Sequence, residues 1–245
     1  MIRILTIPSE IEYLKRLGYP VSSHIVGRVE DFDRDIIIRF GNSSLFYDRN
    51  YRSAEFRNVL NPASNISSNI NKIGTRKKLS SVVNVPRTFY KYTPNNGVFV
   101  IRNRNHSAGS GFRVREAKGQ SIRLNEGREY ASEYIFGDEF RVWFVGNRTM
   151  RALRYSATGI NPRFACKSKW SYEYCNTVSE DLHNQVLLGA RTLGLSFGAA
   201  DVIRNNGRWY FLEYNTAPSI DTATLRRFFK NNLYNLAQSR FPHFV

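Results

Sequence analysis

The chain has 245 residues, 42% of them hydrophobic and 14% aromatic, which excludes a disordered protein and allows one large domain or two small ones. Its 36 lysines and arginines against 20 acidic residues give a formal net charge of +16. That charge favours a polyanionic or phosphate-bearing partner, such as nucleic acid, ATP or an acidic polymer. A merely solubilising surface is the alternative, because the excess charge is spread along the chain without a basic tail.

The sequence predicts neither a membrane segment nor a secreted protein. No apolar run reaches the roughly 18–20 residues of a membrane span, and MIRILTIPSE at the start lacks the apolar stretch of a signal peptide. The two cysteines, Cys166 and Cys175, lack metal-site spacing. We therefore expect no membrane partner and a reducing, cytoplasmic location, which is that of the host cell if a phage encodes the chain.

The first 60 residues predict a short α/β portion. Residues 2–7 and 35–40 are apolar enough for buried strands. A helix over residues 9–17 should end at Gly18, because glycine suits the position just after a helix.

Residues 61–95 predict a loop, a basic helix and a strand. The Asn- and Ser-rich stretch 61–81 should be a loop followed by a short helix, and 85–92 should be a strand. The turn signal Pro94-Asn95-Asn96-Gly97 places a subdomain boundary near residue 95. The basic residues of the helix are Lys72, Arg76, Lys77 and Lys78.

From residue 98 the pattern predicts a run of strands. Gly146-Asn147 is typical of a two-residue hairpin turn, and residues 158–176 lack a clear period and should form a loop. The predicted strands are 98–103, 112–117, 131–136, 139–145 and 149–157.

The C-terminal third predicts a helix, a hairpin and a second helix. Ser179 can cap a helix that Gly194 ends. Residues 196–203 and 208–215 form the predicted hairpin, and an amphipathic helix follows Asp221.

This last hairpin carries a candidate metal site. If Asn205-Asn206-Gly207 forms a three-residue loop, Arg204 pairs with Arg208 and Asp201 lies opposite Phe211. Two carboxylates and an amide oxygen then share one sheet face and suit Mg²⁺, although a solvent-facing hairpin explains the pattern equally well. A two-residue loop would instead point the aspartate away. The candidate ligands are Asp201, Glu213 and Asn215.

The preceding hairpin carries a second polar cluster. With Gly146-Asn147 as its turn, Arg154 pairs with Glu139 and Ala152 with Arg141, which puts the three charged side chains on one face. An ordinary cross-strand ion pair is the simpler interpretation. The alternative is that the arginines bind phosphate while the carboxylate takes a ribose hydroxyl.

The loop HSAGSGF (106–112) is a candidate phosphate loop. Its small residues allow backbone N–H groups to approach phosphate oxygens, and Arg102 and Arg104 precede it. It is not a Walker loop, because no Gly-Lys-Ser/Thr follows. A plain hairpin loop is the alternative.

Taken in order, these motifs resemble those of the ATP-grasp ligases, which include D-alanine–D-alanine ligase and the peptide-modifying glutamate ligases. The short chain is most like short family members from phages and bacteria. The most specific stretch is the aspartate hairpin followed by hydrophobic-Glu-x-Asn-Thr-x-Pro. From about Asn61 to Ser219, the matching stretches are SNINKIGTRKKLSSVVNVPRTF, VFVIRNRNHSAGSGF, ASEYIFGDEFRVWFV and AADVIRNNGRWYFLEYNTAPS.

The resemblance implies an α+β chain with an ATP-grasp fold, in which two α+β subdomains hold ATP between them. It divides the chain into a short α/β N-terminal portion, 1–60, and an ATP-grasp region, 61–245. That region consists of residues 61–95 and a small subdomain to about residue 135, followed by a large metal-binding subdomain, 136–245.

The resemblance also implies ATP and two Mg²⁺ ions as cofactors, with the ions on Asp201, Glu213 and Asn215. Arg141 and Arg154 would stabilise an acyl phosphate. The implied ATP contacts are Glu139 for ribose, the backbone of Glu133, Tyr134 and Ile135 for adenine, Lys72 and Arg102 for the phosphates, and Ser107, Gly109, Ser110 and Gly111, within the loop from His106, for the γ-phosphate.

The chain departs from the family pattern at three places. Arg102 stands where the family has lysine, so a planar guanidinium replaces the compact ammonium group of lysine. Ala199 stands where many members carry a basic residue, for which Arg154 would substitute. The N-terminal portion is shorter than the family's usual first domain.

The predicted activity is an ATP-dependent carboxylate–amine ligation in which an amine attacks an acyl phosphate. An amino acid is a candidate substrate, and the charge suggests a large acidic one, either nucleic acid or an acidic protein. Residues 98–128 support this, with seven basic and two acidic side chains. A non-catalytic nucleic-acid-binding protein and a kinase-like phosphotransferase compete with this hypothesis, but the intact catalytic set argues against both.

Overall fold

The structure is a computed structural model that describes residues 1–6, 8–22, 34–41, 46–48, 51–54, 58–104, 112–156, 170–175, 178–220 and 222–243. Residues 106–111 of the predicted phosphate loop, Cys166 and Asp221 lie outside the described residues. The strands are β1 (Ile2–Thr6), β2 (Val21–Ser22), β3 (Ile36–Phe40), β4 (Phe46–Asp48), β5 (Tyr51–Ala54), β6 (Val59–Leu60), β7 (Thr88–Phe89), β8 (Asn96–Asn103), β9 (Phe112–Lys118), β10 (Glu129–Glu133), β11 (Asp138–Val145), β12 (Arg148–Ser156), β13 (Trp170–Cys175), β14 (Phe197–Asn205) and β15 (Arg208–Asn215). The helices are α1 (Ile11–Leu14), α2 (Ala63–Ile70), α3 (Lys72–Leu79), α4 (Glu180–Thr192) and α5 (Ala223–Arg240).

The N-terminal portion contains a four-stranded parallel sheet in the order β2-β1-β3-β6. Between β1 and β2, α1 lies between two 3₁₀ turns, Pro8–Glu10 and Lys15–Leu17. Gly18 then ends the helical stretch in a left-handed conformation, with φ at 80°. The predicted short α/β portion is therefore confirmed, and β4 and β5 form a separate two-stranded pair.

A small antiparallel sheet follows in the order β7-β10-β8-β9. Its inner face buries a cluster that includes Phe99, Ile101 and Ala131. Two predicted strands are shorter than expected, because 85–92 is extended in the sheet only at β7 and 131–136 ends with β10 at Glu133. Strands from both sides of residue 95 belong to this sheet, and the proposed domain limits stay a prediction.

A large antiparallel sheet, in the order β13-β12-β11-β14-β15, forms the second half. One face packs residues such as Val142 and Ala200 against α4. The other face packs Trp143 and Ala199 against the N-terminal sheet and α5. The sheet is thus held from both sides, which fixes the side chains that lie farther along its second face.

Two predicted loops contain regular structure. The Asn- and Ser-rich stretch after residue 61 forms α2, because its spacing buries Ala63 and Ile66, and Asn69 donates to the carbonyl of Tyr214 at 2.7 Å. Trp170–Cys175, within the predicted loop 158–176, forms β13 at the edge of the large sheet. In the described part of the chain, no helix is both long enough and apolar enough to span a membrane.

Candidate functional site

The hairpin of β14 and β15 has a two-residue turn, so the predicted three-residue loop is wrong. Asn205 pairs with Arg208 and Arg204 with Trp209. Asn206 and Gly207 both have positive φ, at 47° and 78°, as a tight hairpin turn requires. With an uninterrupted ladder this turn would have turned Asp201 away from Glu213.

A β-bulge corrects the register. Val202 lies opposite Phe211, but Asp201 lies opposite Glu213, which leaves Leu212 as the extra residue of β15. A one-residue shift moves every following side chain to the other face. Asp201, Glu213 and Asn215 therefore share a face as predicted, although Asp201 is opposite Glu213 and not Phe211.

Five of the predicted site residues form one continuous polar network. The guanidinium of Arg141 donates two hydrogen bonds to the carboxylate of Asp201, both at 2.7 Å. Asn215 Nδ2 lies 3.3 Å from Asp201 Oδ2 and 3.4 Å from Glu213 Oε1. Lys72 Nζ lies 2.9 Å from Glu213 Oε2. Lys72 thus contacts one carboxylate of the pair, Glu213, and Arg141 contacts the other, Asp201.

Opposing effects act on the pKa of Glu213. Burial and the neighbouring Asp201 raise it, whereas Lys72, by charge and hydrogen bond, and Arg102 lower it. The cations prevail, so the pKa lies below its ordinary value and the side chain is an anion at neutral pH. An ionised, partly buried carboxylate is a suitable ligand for a hard cation.

The donor set fits Mg²⁺. Asp201 and Glu213 supply carboxylate oxygens, and rotation of the Asn215 amide would turn its Oδ1 toward them in place of Nδ2. Among the described residues there is no group of three or more His, Cys, Asp and Glu side chains that could hold a metal. A cation here would therefore depend on the asparagine as its third protein ligand.

The phosphate-binding candidates reach this network from two other elements. Asn71 caps α3 by accepting a hydrogen bond from Gly74 N at 3.1 Å, which fixes Lys72 in the first turn. Arg102, on β8, lies opposite Tyr130 on β10, and its charge acts on Glu213. Helix α3 and the small sheet thus each contribute a cation that acts on Glu213 of the large sheet.

The register of the preceding hairpin is as predicted. Gly146 and Asn147 make a two-residue turn, so Glu139 pairs with Arg154 and Arg141 with Ala152. Glu139 is buried and lies two residues from Arg141 on the same face. Arg141 contacts Asp201, a candidate metal ligand, and the backbone of Arg154 places that residue beside Glu139.

The predicted adenine segment connects the two sheets. Tyr134 and Ile135 are buried between β10 and β11, and Tyr134 N donates to Val98 O at 2.9 Å. The carboxylate of Glu133 accepts two hydrogen bonds from Arg87, at 3.0 and 3.2 Å. This segment is therefore anchored to the small sheet on one side and continues into the large sheet on the other.

The sequence predictions missed one residue beside the site. Arg76 is buried on α3, and its guanidinium carbon lies 5.9 Å from the ring centre of Tyr130. Its spacing of four residues from Lys72 places both on one helix face, and that spacing is the signal that could have identified it.

Comparison with known proteins rests on structure, since no family model and no curated protein matches the chain. The ATP-grasp ligase PsnB, in complex with a phosphomimetic variant of its minimal precursor, Mg and ADP, superposes with a TM-score of 0.64 at 14% identity, over 96% of this chain and 98% of that one. D-alanine–D-alanine ligase from Bacillus anthracis gives 0.59 at 10% identity, over 97% and 95%. The macrocyclase MdnC from Microcystis aeruginosa MRC, bound to its precursor peptide MdnA, gives 0.56 at 12% identity, over 95% and 99%.

The chain has the ATP-grasp fold. The predicted fold and its α+β class are therefore confirmed. The superpositions include the short N-terminal portion, because each covers at least 95% of this chain. At these identities the likeness concerns the fold, and the chemistry has to be argued from the residues of this site.

Proposed function

We propose that this ATP-grasp protein is a carboxylate–amine ligase that consumes ATP and forms an amide through an acyl phosphate. The observation that carries the proposal is the network in which Asp201, Glu213 and Asn215 lie within hydrogen-bond distance on one sheet face, with Lys72 and Arg141 at its ends. That arrangement supplies oxygen ligands for a divalent cation and positive charge for phosphate in one place.

Each residue has a task in this proposal. Lys72 and Arg102 bind phosphate oxygens, Glu139 takes the ribose hydroxyls, and Asp201, Glu213 and Asn215 hold two Mg²⁺ ions. Arg141 orients Asp201 and, with Arg154, faces the reacting phosphoryl group. The backbone of Glu133, Tyr134 and Ile135 binds adenine. The loop with Ser107, Gly109, Ser110 and Gly111 binds the γ-phosphate.

The chemistry proceeds in two displacements. An oxygen of the substrate carboxylate attacks the γ-phosphorus of ATP, the bond to the β,γ-bridging oxygen breaks, and ADP leaves. The amine nitrogen then attacks the acyl carbon, the carbon–oxygen bond to phosphate breaks, and the nitrogen loses a proton. Bound Mg²⁺ would offset negative charge on the phosphates, and the lysine and arginines stabilise the charge that develops during transfer.

We propose an acidic peptide segment as the macromolecular substrate. PsnB has been solved with the precursor peptide PsnA2, and MdnC with the precursor peptide MdnA. The net charge of +16 would attract an acidic segment to this chain. The comparisons give no support to nucleic acid as a partner, and we therefore propose the peptide as the substrate.

The test is incubation with Mg²⁺, ATP and acidic peptides that contain both carboxylate and amine side chains, with and without added amino acids. We expect ADP release together with an amide product, seen in the mass spectrum as the loss of one water per bond. Glu213→Gln should abolish both, whereas the matched change at exposed Glu126 should not. ADP release with a stable phosphopeptide, or no ADP release with any peptide and amine, would overturn the proposal.

A further inference from the structure

Arg76 is a buried cation whose hydrogen bonds are incomplete. The residue is 8% exposed, and its Nη1 lies in the interior with no hydrogen-bond partner among the described residues. Burying a polar group without a partner is costly, and the cost is greater when the group is charged. An arginine kept in that state needs an anion that the folded chain alone does not supply.

The charged groups around Arg76 provide it with little negative charge. The acidic side chain that acts on it, among the described residues, is Glu213, and this carboxylate already contacts Lys72 at 2.9 Å. Arg102 adds a further positive charge next to Arg76. Three cations therefore converge on one carboxylate, in surroundings where burial strengthens every electrostatic interaction.

The position of Arg76 is fixed by its packing. Its guanidinium lies against the ring of Tyr130 on β10, and α3 carries it on the same face as Lys72. A planar guanidinium held in this way has lost much of its conformational freedom before a ligand arrives. It can therefore donate to phosphate oxygens with little further ordering.

We propose that Arg76 is a phosphate-binding residue of this site, whose Nη1 donates to a phosphate oxygen of the bound nucleotide. This inference rests on the proposed function, because it requires ATP and ADP to bind between α3, the small sheet and the metal-site carboxylates. It adds a third cation from this chain to Lys72 and Arg102. It also gives α3 two contacts with the nucleotide, one helical turn apart.

The test compares ADP with adenosine by isothermal titration calorimetry, each with excess Mg²⁺. Arg76→Met should weaken ADP binding by about 10- to 100-fold and leave adenosine binding unchanged, because adenosine has no phosphate. Arg76→Lys should recover part of the ADP affinity. Lys77→Met, an equal loss of charge at an exposed position on the same helix, should change ADP binding by less than about twofold.

Thermal unfolding without nucleotide separates this role from a structural one. If the role of Arg76 is to bind phosphate, the Arg76→Met variant without nucleotide should unfold at the same temperature as the wild type or at a higher one. The substitution then removes a buried cation that lacks an anionic partner. Equal ADP affinity in Arg76→Met, or an equal loss of ADP and adenosine binding, would overturn the inference. If Arg76→Met does not fold, wild-type ADP affinity in Arg76→Lys would overturn it instead.

The calorimetry also distinguishes this inference from the proposed function. If the wild-type protein binds neither ADP nor adenosine, the proposed function and the inference about Arg76 are both wrong. The wild-type protein could instead bind Mg–ADP and release ADP during amide formation, as the proposed function requires. If Arg76→Met then binds ADP as tightly as the wild type, only the inference about Arg76 is wrong.

Discussion

The ion pair of Arg141 and Asp201 links stability to function at the residue scale. Both side chains are largely buried, 14% and 5% exposed, and two hydrogen bonds join them. A buried carboxylate requires such a partner when no cation is bound. Arg141 therefore holds the proposed metal ligand Asp201 in a fixed orientation before the metal and ATP arrive.

Removing Arg141 should be costly because it leaves Asp201 buried without its partner. We expect Arg141→Met to lower the free energy of unfolding by about 3–5 kcal/mol and Asp201→Asn in the same chain to recover much of that loss. Urea unfolding of the two single variants and the double variant measures this coupling. Arg87→Met provides the comparison, since Arg87 is 70% exposed and its pair with Glu133 should contribute under about 1 kcal/mol. Additive losses would contradict the coupling.

Glu129 should make part of the stability depend on pH. Hydrogen bonds from Arg113 and from Asn125 N hold its pKa below the ordinary value, although burial opposes them. The stabilisation is therefore complete above the unfolded-state pKa of about 4.3 and is lost as the pH falls through the lower folded-state pKa. Glu129→Gln should destabilise the protein at neutral pH, and this difference should shrink below about pH 4. Parallel unfolding curves of wild type and variant from pH 7 to pH 3 would contradict this.

At the scale of elements, the site depends on a bulge that the sequence does not reveal. Asn206-Gly207 suits a two-residue turn, and Asn205-Asn206-Gly207 suits a three-residue loop, so the letters allow both. The two-residue turn and the unseen Leu212 bulge each shift the register by one residue in the same direction, and the total shift of two residues returns Asp201 to the predicted face. The predicted face was therefore right for an incomplete reason. The Gly146-Asn147 turn had no such ambiguity, and its register was predicted correctly.

Packing explains the elements that the sequence predictions missed. The composition of α2 favours a loop, but burial of Ala63 and Ile66 outweighs that weak preference. Arg76 and Lys77 are adjacent basic residues, yet one is buried and the other exposed. Sequence spacing identifies the shared face of Lys72 and Arg76, but only the tertiary structure shows that the small sheet covers it.

Gly137 lies just before β11, in the segment that connects the small sheet to the large sheet, and its backbone lies close to β14. Its φ is 141°, and an added Cβ would lie 1.9 Å from the carbonyl oxygen of Arg204. Gly137→Ala should therefore lower the free energy of unfolding by more than about 2 kcal/mol, since β11 and β14 would have to separate. Gly119→Ala is the matched control, because Gly119 also has positive φ, at 77°, but has no atom within 4 Å of the added Cβ. That control should cost about 1 kcal/mol of backbone strain, and equal losses in both variants, measured by urea unfolding, would contradict the close approach.

At the scale of the whole molecule, one hydrophobic core joins the N-terminal sheet to the site. Ile38 of β3, Trp143 of β11 and Phe229 of α5 belong to the same buried cluster. Trp143 also donates from its indole nitrogen to Ser219 O at 3.1 Å. The polar end of the large sheet is thus continuous with an apolar end that packs against the N-terminal sheet and α5.

The positive charge should act on substrate capture. We expect kcat/KM for an acidic peptide to fall by about tenfold as added salt shortens the screening length from roughly 30 Å at 0.01 M to roughly 8 Å at 0.15 M. A peptide with the same reacting groups and neutral flanking residues should change little. Initial rates of ADP release at several salt concentrations measure the effect. Equal salt dependence for both peptides would contradict a role of the charge in substrate binding.

The transfer of oxygen from carboxylate to phosphate tests the central claim most directly. A peptide in which both oxygens of the reacting carboxylate are ¹⁸O is incubated with the protein, Mg²⁺, ATP and the amine, and the released phosphate is examined by mass spectrometry. We expect each amide formed to release one phosphate that contains one ¹⁸O, because the acyl carbon–oxygen bond breaks after phosphorylation. Amide formation with unlabelled phosphate would contradict an acyl phosphate, and labelled phosphate would be absent if the protein were a phosphotransferase or only a binding protein.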